Sequence, residues 1–188
     1  MRPGDDLAAS PACHGTFTLE DGTAVRVRPI RPEDEPLMVR FHAQLSDRTV
    51  HLRYFHLTKL DQRVRHERLA RVCRIEPGTE MAIVAEETDP SGQPAIVGVA
   101  RLMRGGPQPD AEVALLVVDR LQGQGLGHEL MRRLVLLARE LGVRRLIGYM
   151  LYENDGMLGV ARRAGFRIGP SPDDPQVFRA ILDLPAPA

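Results

Sequence analysis

Three glycines recur at positions 123, 125 and 127, between a run of apolar residues and a long amphipathic stretch. The start of a helix leaves about four backbone N–H groups without intrahelical partners and carries a partial positive charge. Since glycine has no Cβ, a bulky anion can come close to the backbone at such a turn. The pattern therefore predicts a pyrophosphate-binding turn, although a turn that is only tight would show the same glycines. It is neither the Gly-x-Gly-x-x-Gly dinucleotide fingerprint nor a P-loop with Gly-Lys-Ser/Thr.

Apolar periodicity places this turn between a strand and a helix. Residues 111–118 read as a strand, and leucines recur every three or four residues along the predicted helix 125–141, which Gly142 ends. The same reasoning predicts strands at 24–30, 81–86, 96–102, 145–151 and 177–184, and helices at 32–45, 48–55, 61–73 and 155–164. This order favours one α/β domain with a mixed sheet over residues 16–188. Residues 1–15 lack apolar periodicity and are predicted to form a flexible tail.

The bulk composition excludes several classes of protein. The 188 residues contain 25 Lys+Arg and 25 Asp+Glu, so the chain lacks the basic excess of a nucleic-acid binder or a polybasic membrane anchor. No apolar run is long enough to span a membrane, and residues 1–6 lack the apolar core of a signal peptide. Cys13 and Cys73 are too few and too distant to predict a disulfide framework or a metal site. We therefore expect a cytoplasmic protein with reduced thiols and no bound metal.

The strand and turn over residues 112–127 resemble the acetyl-CoA motif of the GNAT superfamily of N-acetyltransferases. In that family Arg/Gln-x-x-Gly-x-Gly/Ala follows the fourth strand, and Gln122, Gly125 and Gly127 stand at the corresponding places here. The strand at 145–151, followed by Asn154 and a short helix that ends before Gly165-Phe166, is similar to a second part of the family pattern. The resemblance covers roughly residues 24–184. It implies the GNAT fold, a mostly antiparallel sheet that splays at the acetyl-CoA site and is flanked by helices.

The resemblance also implies which residues would bind acetyl-CoA. Backbone amides of the turn would hold the pyrophosphate: those of Gln122, Gly123, Gln124, Gly125, Leu126, Gly127 and His128. The pantetheine arm would pair with the strand backbone as an added strand, at Leu116, Val117 and Val118. Asn154 would hydrogen-bond the pantetheine or the phosphate region, but capping preference alone describes it equally well as the cap of the helix at Asp155. For His128, a solvated side chain is as good a reading as a phosphate contact.

Acetyl transfer to an amine directs attention to Glu112. Only about one lysine amine in a thousand is neutral at pH 7, so a general base matters. In the bacterial protein-lysine acetyltransferases that this chain resembles, an Ala-Glu-hydrophobic-Ala sequence on this strand carries the general-base glutamate, which implies that role for Glu112. Burial beside apolar neighbours would make it a stronger base, whereas strand alternation alone leaves open a solvent-facing edge residue. A backbone N–H near Leu116 or Val117 would stabilise the oxyanion.

One position departs from the family pattern. Many GNAT enzymes place a tyrosine five residues before the phenylalanine of the terminal Gly-Phe pair, as general acid for the leaving thiolate, and Ala161 stands there in this chain. Tyr149 and Tyr152 are near in sequence, but one is predicted in a strand and the other in a loop, so neither is assigned the role. A thiol pKa near 8.5 would allow the thiolate to leave unassisted.

The acceptor is a separate question, which the N-terminal half would decide. Residues 28–34 and 45–55 resemble segments of bacterial protein-lysine acetyltransferases that acetylate acyl-CoA synthetases, although 45–55 also reads as an ordinary amphipathic helix. Lys59 is the only lysine, which agrees with little self-modification but equally with an arginine-biased composition. The preferred prediction is lysine acetylation of a protein by a monomer or homodimer. Acetylation of a small amine and a non-enzymatic acyl-CoA sensor are the alternatives.

Overall fold

The computed structural model describes residues 9–76, 78–105 and 109–185, which form one eight-stranded sheet with helices on both faces. The strands are β1 (Gly15–Thr18), β2 (Ala24–Pro29), β3 (Glu80–Thr88), β4 (Pro94–Arg104), β5 (Asp110–Val117), β6 (Arg145–Leu151), β7 (Arg167–Pro170) and β8 (Val177–Asp183). Their spatial order is β1-β2-β3-β4-β5-β6-β8-β7. Every neighbouring pair of these described strands is antiparallel except β5 and β6. The predicted mixed, mostly antiparallel sheet is confirmed.

Six α-helices accompany the sheet within the described residues: α1 (Glu35–Ala43), α2 (Asp47–Tyr54), α3 (Leu60–Arg63), α4 (His66–Cys73), α5 (Leu126–Glu140) and α6 (Asp155–Arg163). The leucines that predicted α5 are its buried face, and a Cβ on Gly98 of β4 would lie only 3.1 Å from Leu130 Cδ1. Three residues further along β4, Arg101 points to the opposite face and donates to the backbone carbonyl of Val72 in α4. Thus α5 covers one face of the sheet and α4 the other. No described helix is both long enough and apolar enough to cross a membrane.

The predicted elements differ from the observed ones where tertiary contacts override local pattern. The helix predicted over 61–73 is two helices, α3 and α4, because Arg65 adopts a non-helical backbone conformation (φ −57°, ψ 135°) between them. Strands β1 and β7 were not predicted. Each has only four residues and no fully buried side chain, so neither carries a readable apolar alternation.

The prediction of a flexible tail is wrong for residues 10–15, while residues 1–8 lie outside the described part of the chain. Ala12 and Cys13 are buried (8% and 0% exposed). The Arg133 guanidinium of α5 donates through Nη1 to the carbonyls of Ala12 (3.1 Å) and His14 (2.7 Å). Burial, followed by the charge of Glu140, raises the pKa of the Cys13 thiol to about 11. The segment is fixed largely through its backbone carbonyls, which any sequence provides, so composition did not reveal it.

Replacing Arg133 with alanine is expected to lower the free energy of unfolding by about 3 kcal/mol, because Glu129 and two backbone carbonyls lose a buried partner. Chemical denaturation measures the free energy of unfolding. Maleimide labelling of Cys13 measures the accessibility of residues 10–15, and it should be faster in the variant. The matched control is Arg132→Ala. Arg132 pairs with the same Glu129 but is 58% exposed, so it should cost less than about 1 kcal/mol. Equal losses in the two variants would show that Arg133 does not hold the segment.

Candidate active site

Strands β5 and β6 pair over three residues only and then separate. The parallel pairs are Asp110 with Arg145, Ala111 with Leu146 and Glu112 with Ile147. Beyond them β5 runs on to Val117 and β6 to Leu151, and the two strands do not pair with each other again. The opening between the strands is part of a cavity of about 640 Å³, whose walls also include residues of α2, α6 and the glycine-rich turn. The predicted splay of the sheet is therefore present, and it begins at Glu112.

The register of the sheet decides which backbone groups of β5 face this opening. The Val118 N–H donates to the Val97 carbonyl at 3.0 Å. Because hydrogen bonds alternate along an antiparallel ladder, Leu116 also pairs with β4, while Leu115 and Val117 turn their N–H and C=O groups to the opening. The prediction that Leu116 and Val118 pair with a pantetheine arm is therefore wrong. Val117 is in the right place, although its carbonyl already accepts from Gln122 Nε2 at 3.0 Å. Leu115 was missed, since a shift of one residue in register cannot be read from an apolar run.

The glycine-rich turn presents a row of backbone amides. Among the described residues, the N–H groups of residues 123–128 donate to no backbone carbonyl. The Gln122 N–H is an exception to the prediction, because it donates to the Asp119 carbonyl at 3.2 Å. Gly125 caps α5 with φ 86°, so a side chain there would be strained, and its Cβ would lie in contact with Phe17, 3.5 Å from Cζ. A Cβ on Gly127 would lie 3.3 Å from Val160 Cγ2 of α6. The turn thus has the open amides and the lack of side chains that an anion site requires.

A hydrogen-bonded cluster joins this turn to α2. Asp119 accepts from the Ser46 hydroxyl, from the Ser46 N–H at 3.0 Å and from Thr49 Oγ1 at 2.8 Å. Gln122 Nε2 donates to the same Thr49 hydroxyl at 3.0 Å. Partial burial by itself would raise the pKa of Asp119, but the hydrogen bonds from Ser46 and Thr49 outweigh it and lower that pKa. Ser46 also caps α2, since its hydroxyl accepts from the Thr49 N–H at 3.2 Å.

Glu112 lines the cavity, and of the two surroundings that the sequence left open it has the solvent-facing one. It is exposed rather than buried among apolar neighbours. It pairs with Met103 of β4, two residues beyond Arg101, so its side chain points to the face of the sheet that α4 covers. Arg53 of α2 lies near enough to interact with the Glu112 charge. A carboxylate at the apex of the opening, accessible to water and to a second substrate, fits a general base geometrically.

Asn154 and His128 line the other end of the cavity. Asn154 Oδ1 accepts from the Met157 N–H at 3.1 Å, so the helix-cap reading is confirmed while the residue also lines the cavity. His128 is half-buried, and among the described residues its Nε2 is without a hydrogen-bond partner. Burial, and then the charge of Arg163, lower the pKa of His128, which is therefore neutral at pH 7. Arg163, whose charge acts on His128, is a cation that lines the cavity.

The structure brings most of the predicted site residues together. Those that line the cavity are Glu112, Leu116, Val117, Gln122, Gly123, Gly125, Gly127, His128 and Asn154. Those that do not are Val118, Gln124 and Leu126, the last being fully buried in the core. Sequence reasoning missed Arg53, Tyr149 and Arg163 as lining residues. The spacing of Met157, Val160 and Arg163 by three places along α6 is a signal that would have found the last of these.

Ala161, at the position of the family tyrosine, is 1% exposed in the core, so no acid stands there. Within the described ranges, no group of three or more His, Cys, Asp or Glu side chains is arranged to hold a metal ion.

Comparison with known proteins places this geometry in a family. The sequence model for the acetyltransferase (GNAT) domain matches residues 24–167. An acetyltransferase of Pseudomonas aeruginosa is 29% identical over 168 residues, which are 89% of this chain and 88% of that protein. The crystal structure of the GNAT domain of S. lividans PAT is 28% identical, with a TM-score of 0.81 and coverage of 93% of this chain and 99% of that one.

Two more distant structures share the fold. A cAMP-binding acyltransferase from Mycobacterium smegmatis is 22% identical with a TM-score of 0.61, and the match covers 92% of this chain but only 48% of that protein. RimJ of Mycobacterium smegmatis, solved in complex with CoA-disulfide, is 18% identical with a TM-score of 0.65 over 89% of this chain.

The turn generates a prediction about anion binding. Gly125→Glu would put a carboxylate among the open amides and a side chain against Phe17, so we expect at least about a 100-fold loss of CoA affinity by calorimetry. Gly142→Glu is the control. Gly142 lies just past the other end of α5, has a similar backbone conformation (φ 68°) and is surrounded by open space. A side chain at Gly142 would therefore be strained in the same way but would lie outside the proposed anion site. Unchanged CoA binding in Gly125→Glu would contradict the role of the turn.

Proposed function

The chain belongs to the GNAT acetyltransferase family, and we propose that it transfers the acetyl group of acetyl-CoA to the side-chain amine of a protein lysine, with Glu112 as general base. The observation that carries the proposal is the position of Glu112 at the apex of the opening, in the same cavity as the turn of open amides. Since a carboxylate that lines the cavity has access to a bound thioester, the geometry favours catalysis over an acyl-CoA sensor without activity.

The donor substrate fits the cavity in chemical terms. The amides of residues 123–128 supply donors for a pyrophosphate, and Arg163 adds a positive charge nearby. Leu115 and Val117 offer backbone groups along the opening, where the amides of a pantetheine arm would pair with them as an added strand. The unused Nδ2 amide of Asn154 is a further donor at the same wall. Acetyl-CoA supplies the activated acyl carbon.

In the proposed reaction the lysine nitrogen forms a bond to the acetyl carbon and the carbon–sulfur bond breaks. The amine proton passes to Glu112, directly or through water, and the electron pair of the broken bond stays on sulfur. An N–H of Leu115 or Val117 that faces the opening would stabilise the negative charge on the acetyl oxygen. Ala161 supplies no acid, and in the proposed reaction the sulfur leaves as a thiolate, which its ordinary pKa near 8.5 permits.

Support for a protein acceptor comes from the N-terminal half of the chain. Residues 45–55, which resemble a segment of bacterial protein-lysine acetyltransferases, include α2, and four of them line the cavity: Thr49, Leu52, Arg53 and Phe55. A small-molecule amine, one of the alternatives, would be acetylated by the same residues. An experiment is therefore needed to distinguish it from a protein acceptor.

Glu112→Gln is expected to lower kcat by about 100-fold while leaving acetyl-CoA affinity nearly unchanged, because it removes the proton acceptor and keeps the shape. Stopped-flow or steady-state release of the CoA thiol measures kcat, and calorimetry measures affinity. Asp110→Asn is the matched control on the same strand and face, two residues away, where the carboxylate pairs with Arg145 outside the cavity. Undiminished turnover in Glu112→Gln would rule out the base assignment.

The acceptor is tested by incubating the protein with radiolabelled acetyl-CoA and a cell lysate, with Glu112→Gln as the inactive reference. We expect one or a few labelled protein bands that the variant does not produce, with the label on lysine by mass spectrometry. Label that appears only in the small-molecule fraction would replace the protein acceptor with a small amine. The acetyltransferase assignment itself would survive that outcome.

A further inference from the structure

The wall that α2 contributes to the cavity contains an arginine that the proposed reaction does not use. Arg53 is half-buried, lines the cavity together with Glu112, and has its Cζ atom 5.2 Å from the centroid of the Tyr54 ring. Arg68 of α4 approaches the same ring at 4.9 Å but does not line the cavity. Two guanidinium groups therefore share one aromatic ring, and only one of them faces the place where chemistry is proposed.

Arg53 has no carboxylate partner, unlike three other arginines of low exposure, and Arg63, which also lacks one, donates instead to the His42 carbonyl at 3.1 Å. Arg28 pairs with Asp34 and Glu86, Arg101 with Glu80, and Arg133 with Glu129. Within the described residues, Arg53 forms no ion pair and no hydrogen bond through its guanidinium, and its interaction with Glu112 acts at longer range. Burial lowers the pKa of Arg53, which agrees with a guanidinium partly removed from water. Such a group has all its N–H donors available and gains most from an anion that approaches it.

The position of Arg53 indicates which molecule would bring that anion. Under the proposed function the phosphates of the donor bind the amides of residues 123–128, so they are already accounted for. The amine must reach Glu112, whose side chain points to the face of the sheet that α4 covers. Arg53 lines the same cavity and lies within electrostatic range of Glu112, so it borders the path of the acceptor. With the phosphates placed at the turn, a planar carboxylate is an anion that a guanidinium can bind through two parallel hydrogen bonds.

We propose that Arg53 binds a carboxylate of the acceptor, so that the chain prefers amines with an acidic group close to the reacting nitrogen. For a protein substrate this is a lysine beside an aspartate, a glutamate or a chain terminus. Opposite charges at Arg53 and Glu112 then orient the acceptor, with its carboxylate at the first and its amine at the second. This specificity rests on the proposed function and adds a substrate class to it.

The test uses matched acceptors and the whole protein. Three tetrapeptides carry glutamate, glutamine or arginine beside their single lysine, and free lysine is compared with lysine amide, which lacks only the carboxylate. We expect kcat/KM to be about 10-fold to 100-fold higher for the acidic member of each set than for the neutral one, mainly through KM, as for a charged hydrogen-bonded pair. The arginine peptide is expected to be the poorest. Equal rates within both sets would overturn the proposal.

Variants show whether Arg53 is the cause. Arg53→Gln should bring the acidic and neutral acceptors within about twofold of each other, since the donor of the charged pair is lost. Arg68→Gln is the matched control, because it removes the other guanidinium from Tyr54 and leaves the cavity wall intact. Loss of the preference in both variants would assign the effect to packing around the ring, and an unchanged preference in Arg53→Gln would remove Arg53 from recognition.

Two further outcomes separate this proposal from the proposed function. A carboxylate could also arrive on the acyl group, so succinyl-CoA is compared with acetyl-CoA. An Arg53-dependent preference for succinyl-CoA with no preference among acceptors would place the carboxylate on the donor and overturn the acceptor assignment. Acetylation of none of these lysine acceptors, with CoA still bound, would overturn lysine acetylation itself, whereas acetylation of all of them at one rate would overturn only the role of Arg53.

Discussion

The separation of β5 from β6 after Glu112 and Ile147 is the constraint on which the rest of the site depends. A strand inside a sheet normally has both edges paired, and a buried N–H without a partner costs about 1–3 kcal/mol. Leu115 and Val117 therefore turn backbone groups toward an opening that must hold water or a ligand. The helices that follow the two strands, α5 after β5 and α6 after β6, approach each other closely at Gly127 and Val160.

A second link joins the two halves of the site. Asp119 lies between β5 and the glycine-rich turn, and it binds Ser46 and Thr49 at the first turn of α2. Gln122 spans the same junction by donating to Thr49 and to the Val117 carbonyl. The helix that carries Arg53 is thereby held in fixed register with the strand that carries Glu112. A site whose parts are positioned by such connected hydrogen bonds needs little reorganisation when substrates bind.

How much could be predicted from the sequence depended on whether the signal was local. The strand, turn and helix around residues 111–141 were predictable because apolar period, glycine spacing and helix-start chemistry agree there. The predictions that were wrong depend on contacts between residues that are distant in the sequence. The choice of Val117 over Leu116 and Val118 follows from pairing with β4, and the fixed position of residues 10–15 follows from Arg133, more than a hundred residues away. Arg53 was hidden for the same reason, since only the fold shows that its guanidinium lines the cavity without an ion pair to any described residue.

The exposure of Glu112 suits the proton balance of the proposed reaction. A lysine arrives at neutral pH mostly as an ammonium and leaves as an uncharged amide, so acetylation releases a proton even when the thiolate takes one up. A route by which a proton leaves the site is therefore more important than an acid that protonates the sulfur. A carboxylate in contact with water can pass the proton on without a relay, whereas a buried one would have to keep it until products depart. The reaction can also proceed without an acid at Ala161. Of the CoA sulfur and the lysine nitrogen, between which the acetyl group moves, the sulfur is more stable as an anion. In the proposed reaction, the exposed base Glu112 and the lack of an acid at Ala161 thus follow from one requirement, the net removal of a proton from an open cavity.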